Sequence, residues 1–325
     1  MIKEQIASTD LKMTKKPIYI LAPMDDVTDT VFRRMIISTS PPDEFFTEFV
    51  NVDGLQSPGR DQVIKKLKFT KIELPLIAQV WGRIPENYEK TAKEIVDMGF
   101  SGIDINMGCP VKTVTKNGCC SALISNRQLA AEIIDATKKG ANGKLPVSVK
   151  TRLGQNSIDY SWIEFLLEQG IDRLTIHART VKEMSKVPAH WEVMGDIVKL
   201  RDKISPSTQI ILNGDIKNRT QGDELAKKYK LDGIMIGRGI FEDPFLFGGK
   251  DTWQKYSKEE KIRLFMEHIK LFDITWGKSR RVHVLNKFCK IYIEGFNGAK
   301  EFREKLMAAN TVDELLNILN DSLIQ

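Results

Sequence analysis

One cysteine closes a short, mostly apolar stretch in Asp104-Ile105-Asn106-Met107-Gly108-Cys109-Pro110, where Gly108 and Pro110 turn the chain out of a run that begins at Gly102. A run of that length between turn residues reads as a buried strand, so the thiol of Cys109 sits at the carboxyl end, where the backbone leaves the core. A thiol there can meet a ligand; one packed as a small hydrophobe, the commoner fate of cysteine, cannot. Similar runs end at Pro23-Met24-Asp25, Gln79, Lys150 with Arg152, His177 with Arg179, Asn213-Gly214-Asp215 and Gly237-Arg238-Gly239. Gly214, Gly237 and Gly239 let backbone N–H groups approach an anion that Arg238 can pair with, while Lys150, Gln79 and Asn213 offer donors to a polar heterocycle or a ribityl chain. That inventory suits a planar cofactor bearing a phosphate. No cluster of carboxylates or histidines suggests a metal.

These residues need a common scaffold. Eight apolar, β-branched runs recur at 18–24, 45–52, 74–81, 102–109, 145–152, 173–179, 209–215 and 233–238, each followed by a charged amphipathic segment. Helices are expected over 28–38 and 86–98 and in the segments after Asn126, Ser157, Trp191 and Thr220. Eight strands alternating with helices predict a (β/α)8 TIM barrel, whose active site forms at the carboxyl ends of its strands, where the residues above fall. A doubly wound open sheet is the alternative, but no GxGxxG follows the first strand. After Pro244 the strand pattern stops, and helical periods over 258–275, 282–294 and 311–323 predict a small all-helical C-terminal domain. The expected organisation is an N-terminal extension over 1–16, a catalytic barrel over 17–247 and a helical domain over 248–325.

Composition narrows the classes. Of 325 residues, 42% are hydrophobic and 28% charged, which argues against disorder. Four cysteines, Cys109, Cys119, Cys120 and Cys289, are too few for a disulfide framework and show no zinc spacing, so a reduced, cytoplasmic protein is expected. No apolar run approaches the ~20 residues a bilayer needs. The net charge of +6 is concentrated in two runs without acids. One spans 62–71 with Lys65, Lys66, Lys68 and Lys71. The other spans 278–290 with Lys278, Arg280, Arg281, Lys287 and Lys290, flanked by Trp276 and Tyr292. Each fits a solvated helix face or a surface for a polyanion.

Six segments in order, Leu21-Ala-Pro-Met24, the motif ending in Cys109-Pro110, Val147-Ser-Val-Lys-Thr-Arg152, Ile176-His-Ala-Arg-Thr180, Asn213-Gly-Asp215 and Ile236-Gly-Arg238, resemble the tRNA-dihydrouridine synthases. Tyr292-Ile-Glu-Gly-Phe-Asn-Gly298 and Arg303 resemble that family's C-terminal domain. The resemblance implies a flavoprotein that reduces the C5=C6 bond of selected uridines in tRNA, with bound FMN and NADPH as reductant. It gives Pro23, Met24, Asp25, Gln79, Lys150, His177, Asn213, Gly214, Asp215, Gly237 and Arg238 to FMN and makes Cys109 the proton donor. It implies tRNA as partner, with no membrane and no metal, and a monomer is expected.

In that chemistry hydride reaches C6 of the uracil and an acid on the opposite face protonates C5. A thiol with a pKa near ~8.5 carries a proton at neutral pH, so no lowering of the Cys109 pKa is expected. Asn106, Arg152 and Arg179 are candidates to bind the substrate, and Arg280, Arg281, Lys287 and Lys290 to contact RNA, with an extruded base. The loop 180–190, with Lys182, Lys186 and His190, is a candidate to close over substrate. Where relatives usually carry small residues, this chain has Gly118-Cys119-Cys120-Ser121; two small buried side chains are expected there. The competing readings are a flavin barrel enzyme acting on a free pyrimidine or other small molecule, which would have no need of the basic, aromatic tail, and a non-enzymatic tRNA-binding scaffold.

Overall fold

The computed structural model describes residues 16–249 and 252–324; the expected extension 1–16 lies, but for Lys16, outside the described residues. The strands are β1 (Ile18–Leu21), β2 (Glu44–Phe46), β3 (Val50–Asn51), β4 (Leu76–Trp81), β5 (Gly102–Met107), β6 (Val147–Arg152), β7 (Arg173–His177), β8 (Gln209–Asn213) and β9 (Gly233–Ile236). All pair in parallel, and β1 joins both β9 and β2, which in turn joins β4, so the sheet closes on itself. This is the expected (β/α)8 barrel, with one difference in its second strand. The run expected as a single strand over 45–52 is two, because the Thr47 hydroxyl accepts the Gln79 N–H at 3.0 Å in place of a main-chain carbonyl. Pairing with β4 resumes only where Val50 lies opposite Val80.

Several helices begin where the sequence can satisfy the free N–H groups of a first turn. Helix Thr30–Thr39 is capped by Asp29, which accepts from Phe32 N at 2.9 Å, and helix Arg127–Ala141 by Asn126. Helix Pro85–Met98 starts on its proline and ends at Gly99, whose φ of 82° suits a residue without a Cβ. Helices Tyr160–Glu168, Met194–Ile204 and Arg219–Tyr229 complete the outer layer. Between β3 and β4 only short helical turns occur.

Strand alternation divides the side chains between two cores. Tyr19, Leu21, Val149, Leu174, Ile176 and Leu212 pack outward against the helices. Ile20, Ala22, Phe46, Ile77, Ile211 and Met235 form a separate cluster inside the barrel. At its floor Arg173 grips Glu44 through both carboxylate oxygens, at 2.5 and 2.9 Å, and Gln209 at 3.0 Å. Above the apolar cluster, at the carboxyl ends, the inward positions become polar.

The C-terminal region is helical, but not as the period alone suggested. Helix Lys258–Trp276 opens on a Ser257–Glu260 capping box. The span expected as one helix over 282–294 is a 3-10 turn, Val282–Phe288, followed by the short helix Cys289–Tyr292, and helix Ala299–Ala308 was not expected. This region docks on the helix after β1. Phe288 stacks on Phe32 at 5.1 Å between centroids, while Asp29 accepts from Trp276 Nε1 at 2.9 Å and Arg280 Nη1 at 2.6 Å.

Asp29 therefore serves as helix cap and as docking acceptor. Asp29→Ala removes a cap and two largely buried hydrogen bonds and is expected to cost about 3 kcal/mol. Urea unfolding followed by tryptophan fluorescence measures the loss.

Candidate active site

A chain of buried side chains crosses three strands beneath Cys109. Asp104 on β5 accepts from Ser148 Oγ on β6 at 2.6 Å and from Gln79 Nε2 on β4 at 2.7 Å. A carboxylate only accepts, so the Gln79 amide must turn its nitrogen toward it and its oxygen away. That oxygen accepts from Asn106 Nδ2 at 3.0 Å, which leaves Asn106 Oδ1 to receive the backbone N–H groups of Gly108 at 3.1 Å and Cys109 at 3.0 Å. Every amide in the chain thus has one orientation, and its last bonds fix the turn that carries the thiol. Burial pushes the Asp104 carboxyl up to about 6, opposed by the two donated hydrogen bonds and by Lys150.

Cys109 is the one partly exposed cysteine; Cys119, Cys120 and Cys289 are buried. Its pKa departs from the ordinary value expected above. The neighbouring Cys120 side chain, the Val111 backbone and the Arg152 charge lower it to about 6 against the opposing effects of burial and Asp25. Cys120, the first of these influences, was read from sequence only as filling.

The cofactor candidates share one level of the barrel. Gln79, Lys150, His177 and Asn213 lie near the carboxyl ends of β4, β6, β7 and β8, Gly237 directly follows β9, and His177 stands opposite Arg152 on one side and Asn213 on the other. Gln79 is fully buried and engaged by Asp104 and Asn106. Lys150 is half-buried and makes no hydrogen bond or ion pair among the described residues; burial and the adjacent Arg152 hold its ammonium down at about 8. Below His177 on β7, the buried Thr175 hydroxyl also has no hydrogen-bond partner among the described residues. His177 is neutral, since burial and the charges of Lys150, Arg152, Arg179 and Arg238 drive its pKa far below the usual range, and its Nε2 faces Arg179 Nη1 at 3.0 Å.

The turn after β8 takes left-handed backbone at Gly214 (φ 122°) and Asp215 (φ 56°), and a Cβ on Gly214 would stand 3.1 Å from the His177 ring. Arg238 is 67% exposed and only loosely paired with Asp215 at 3.7 Å, which leaves its guanidinium open to an anion beside Gly214 and Gly237. Asn213 Nδ2 is used on Met235 O at 2.8 Å. Pro23 is buried, Met24 is half-buried and Asp25, at the rim, pairs with Lys66. An unpartnered ammonium, an open guanidinium and a glycine turn fit a phosphate-bearing planar cofactor. Among the described residues no group of three or more His, Cys, Asp or Glu is placed to hold a metal ion.

Several expected substrate ligands are committed elsewhere. Asn106 has its oxygen on two backbone amides and its nitrogen on Gln79, so it positions Cys109. Arg152 is buried, donating to Gly108 O at 2.9 Å, Thr180 O at 3.1 Å and Met184 O at 2.8 Å. Arg179 is buried too, paired with Asp215 and bonded to Val187 O at 2.6 Å. Both arginines therefore pin the loop 180–190 to the barrel, helped by Ala189 N on Asp215 Oδ2 at 3.0 Å. Of the tail cations, Arg280 is held by Asp29, and Lys287 donates to Asp26 O at 2.6 Å across the docking contact. Arg281 and Lys290 stand exposed, with no hydrogen bond or ion pair among the described residues. Sequence reasoning missed Glu48, a buried carboxylate that accepts from Asp26 N at 2.8 Å and whose pKa burial and Asp29 raise to about 7. Glu48 fell in the least regular run, and no spacing marked it.

Residues 20–325 match the dihydrouridine synthase (Dus) family, and the chain belongs to it. It is 46% identical over 310 residues to a probable tRNA-dihydrouridine synthase 2 of Bacillus subtilis (strain 168), covering 94% of both chains. It is also 46% identical over 310 residues to a probable tRNA-dihydrouridine synthase of Staphylococcus aureus (strain COL), covering 94% of this chain and 93% of that one. In fold it is similar to a 2-naphthoyl-CoA reductase complex, with a TM-score of 0.52 at 13% identity, covering 71% of this chain and 49% of that one. This chain spans about half the length of that protein. No helix among the described residues is long and apolar enough to cross a membrane.

Asn106→Ala cuts the chain of amides at its last link. The loss of one partner from a buried group is expected to cost about 1–3 kcal/mol. Hydrogen exchange should show the Gly108 and Cys109 amides losing protection while those of β6 and β7 keep theirs.

Proposed function

We propose that this chain is a tRNA-dihydrouridine synthase that reduces the C5=C6 bond of particular uridines in tRNA, with FMN as bound carrier, NADPH as reductant and Cys109 as proton donor. The observation that carries this reading is a partly exposed thiol, held by a dedicated chain of hydrogen bonds, on the same rim as an unpartnered lysine and an open arginine.

Bound FMN supplies the hydride that adds to C6 of the uracil. The protein's share is to hold and to protonate. Lys150 provides a cation with three donors and no protein acceptor, suited to the polar edge of the ring system. His177, neutral and fixed by Arg179, can hydrogen-bond without adding charge. Arg238, with Gly214 and Gly237, receives the phosphate. Pro23, Met24 and Asp25, which follow β1 beside β9, border the mouth next to Gly237, Gln79 lies beneath the ring system, and Asn213 and Asp215 shape the turn.

As hydride arrives at C6, negative charge gathers at C5 and O4, and Cys109 delivers its proton to C5 from the other face. A uridine must be extruded to reach this depth. The barrel, 17–247, carries the chemistry, and the helical region, 248–325, holds the tRNA. Lys278, Arg281 and Lys290 are cations of the 278–290 run open to phosphate, since Arg280 and Lys287 serve the docking contact.

Purified protein is expected to be yellow, or to become so on addition of FMN. Cys109→Ala should keep the flavin and its reduction by NADPH but lose uridine reduction on tRNA by at least about 100-fold. Dihydrouridine quantified by mass spectrometry of digested tRNA checks this; unchanged product formation would remove the donor role from Cys109.

A further inference from the structure

The loop that follows β1, 23–29, joins the rim of the barrel to the docked helical region. Met24 lies at its rim end, with its sulfur 3.8 Å from where a Cβ on Gly237 would stand. Thr28 closes the turn: its hydroxyl accepts from Met24 N at 3.0 Å and donates to Met24 O at 3.1 Å, and Thr28 N donates to the same carbonyl at 3.0 Å. Within the turn Asp26 takes left-handed backbone, with a φ of 57°, a conformation that side chains bearing a Cβ rarely adopt. Such a residue persists where its surroundings hold it.

Both backbone groups of Asp26 are held, and by different parts of the molecule. Its N–H donates to Glu48 Oε1 at 2.8 Å, and its carbonyl accepts from Lys287 Nζ at 2.6 Å. Glu48 belongs to the barrel. It is 1% exposed and lies in the break between β2 and β3, where the Thr47 hydroxyl donates to Glu48 O at 2.8 Å. Lys287 belongs to the helical region, in the 3-10 turn Val282–Phe288. Arg280 stands near both: with Nη1 on Asp29, its Nη2 lies 3.8 Å from Asp26 Oδ1 and 3.9 Å from Glu48 Oε1.

We propose that Glu48 and Lys287 are positioning residues for the cofactor site: by holding the N–H and the carbonyl of Asp26, they fix the loop that sets Met24 against Gly237, so that the docked helical region completes the flavin site of the barrel. This rests on the reading that 23–25 border bound FMN. Neither side chain has to touch the cofactor. The helical region thereby has a second task beside holding tRNA, since a loosened dock frees Asp26 O and with it the turn. By linkage, bound FMN tightens the dock to the same extent that the dock tightens FMN.

The test is titration of FMN into the flavin-free full chain, with the dissociation constant read from the quenching of flavin fluorescence well below the melting temperature of each variant. Lys287→Met keeps the aliphatic stem but removes the donor, and is expected to weaken FMN binding by about 3-fold. Glu48→Ala removes the acceptor and should weaken it by about 5-fold or more. Glu48→Gln offers an amide oxygen to the same N–H, so its affinity should stay within about twofold of wild type. Lys287 is exposed, so its variant reads the contact even where Glu48→Ala does not fold. Unchanged affinity in Lys287→Met would overturn the proposal. So would a Glu48→Gln protein that binds FMN as weakly as Glu48→Ala, because the effect would then lie in the buried charge and not in the bond to Asp26. The two levels of the argument separate in the wild type: variants that match a flavin-binding wild type remove only the positioning role, whereas a wild type that binds no FMN overturns the flavin reading and the positioning role together.

Discussion

The structure turns on one buried carboxylate. Asp104 can only accept hydrogen bonds, and that restriction passes through Gln79 to Asn106 and ends on the backbone of Cys109. Above an apolar cluster of Ile20, Phe46, Ile77, Ile211 and Met235, this chain runs across β4 to β6. A half-satisfied network would be worse than an apolar core, so the members stand or fall together.

Arginines hold the surrounding parts in place. Arg173 ties β7 to β2 and β8 at the floor, Arg152 and Arg179 tie the loop 180–190 to the rim, and Arg280 ties the helical region to Asp29. A planar cation with several donors can join three carbonyls at once, as Arg152 does, which a lysine cannot match. Arg152 and Arg179 also add to burial in keeping His177 neutral, and Arg152 favours the Cys109 thiolate. With these arginines engaged, Lys150 and Arg238 are left open at the mouth.

Much of this was legible in the sequence. The eight apolar runs gave the barrel, because strands buried on both faces leave continuous apolar stretches, and the barrel in turn placed Gln79, Lys150, His177 and Asn213 on one level. What failed to show was orientation. Position at a strand end says that a side chain is near the mouth, not that it is free, so Arg152, Arg179 and Arg280 passed for ligands although buried acceptors hold them. The second strand broke because a threonine hydroxyl replaced a carbonyl, which no pattern of apolar residues encodes. The setting of Cys120 was hidden for a related reason: it takes left-handed backbone after β5, with a φ of 54°, and small buried side chains look alike in sequence.

The central claim is that Cys109 protonates C5 from the face opposite the hydride, and the stereochemistry of the product tests it most directly. Reduction of tRNA in deuterium oxide, followed by NMR of the isolated dihydrouridine, should give one diastereomer with the hydrogens newly added at C5 and C6 on opposite faces. Deuterium distributed over both faces of C5 would mean that solvent, and not a fixed thiol, supplies the proton.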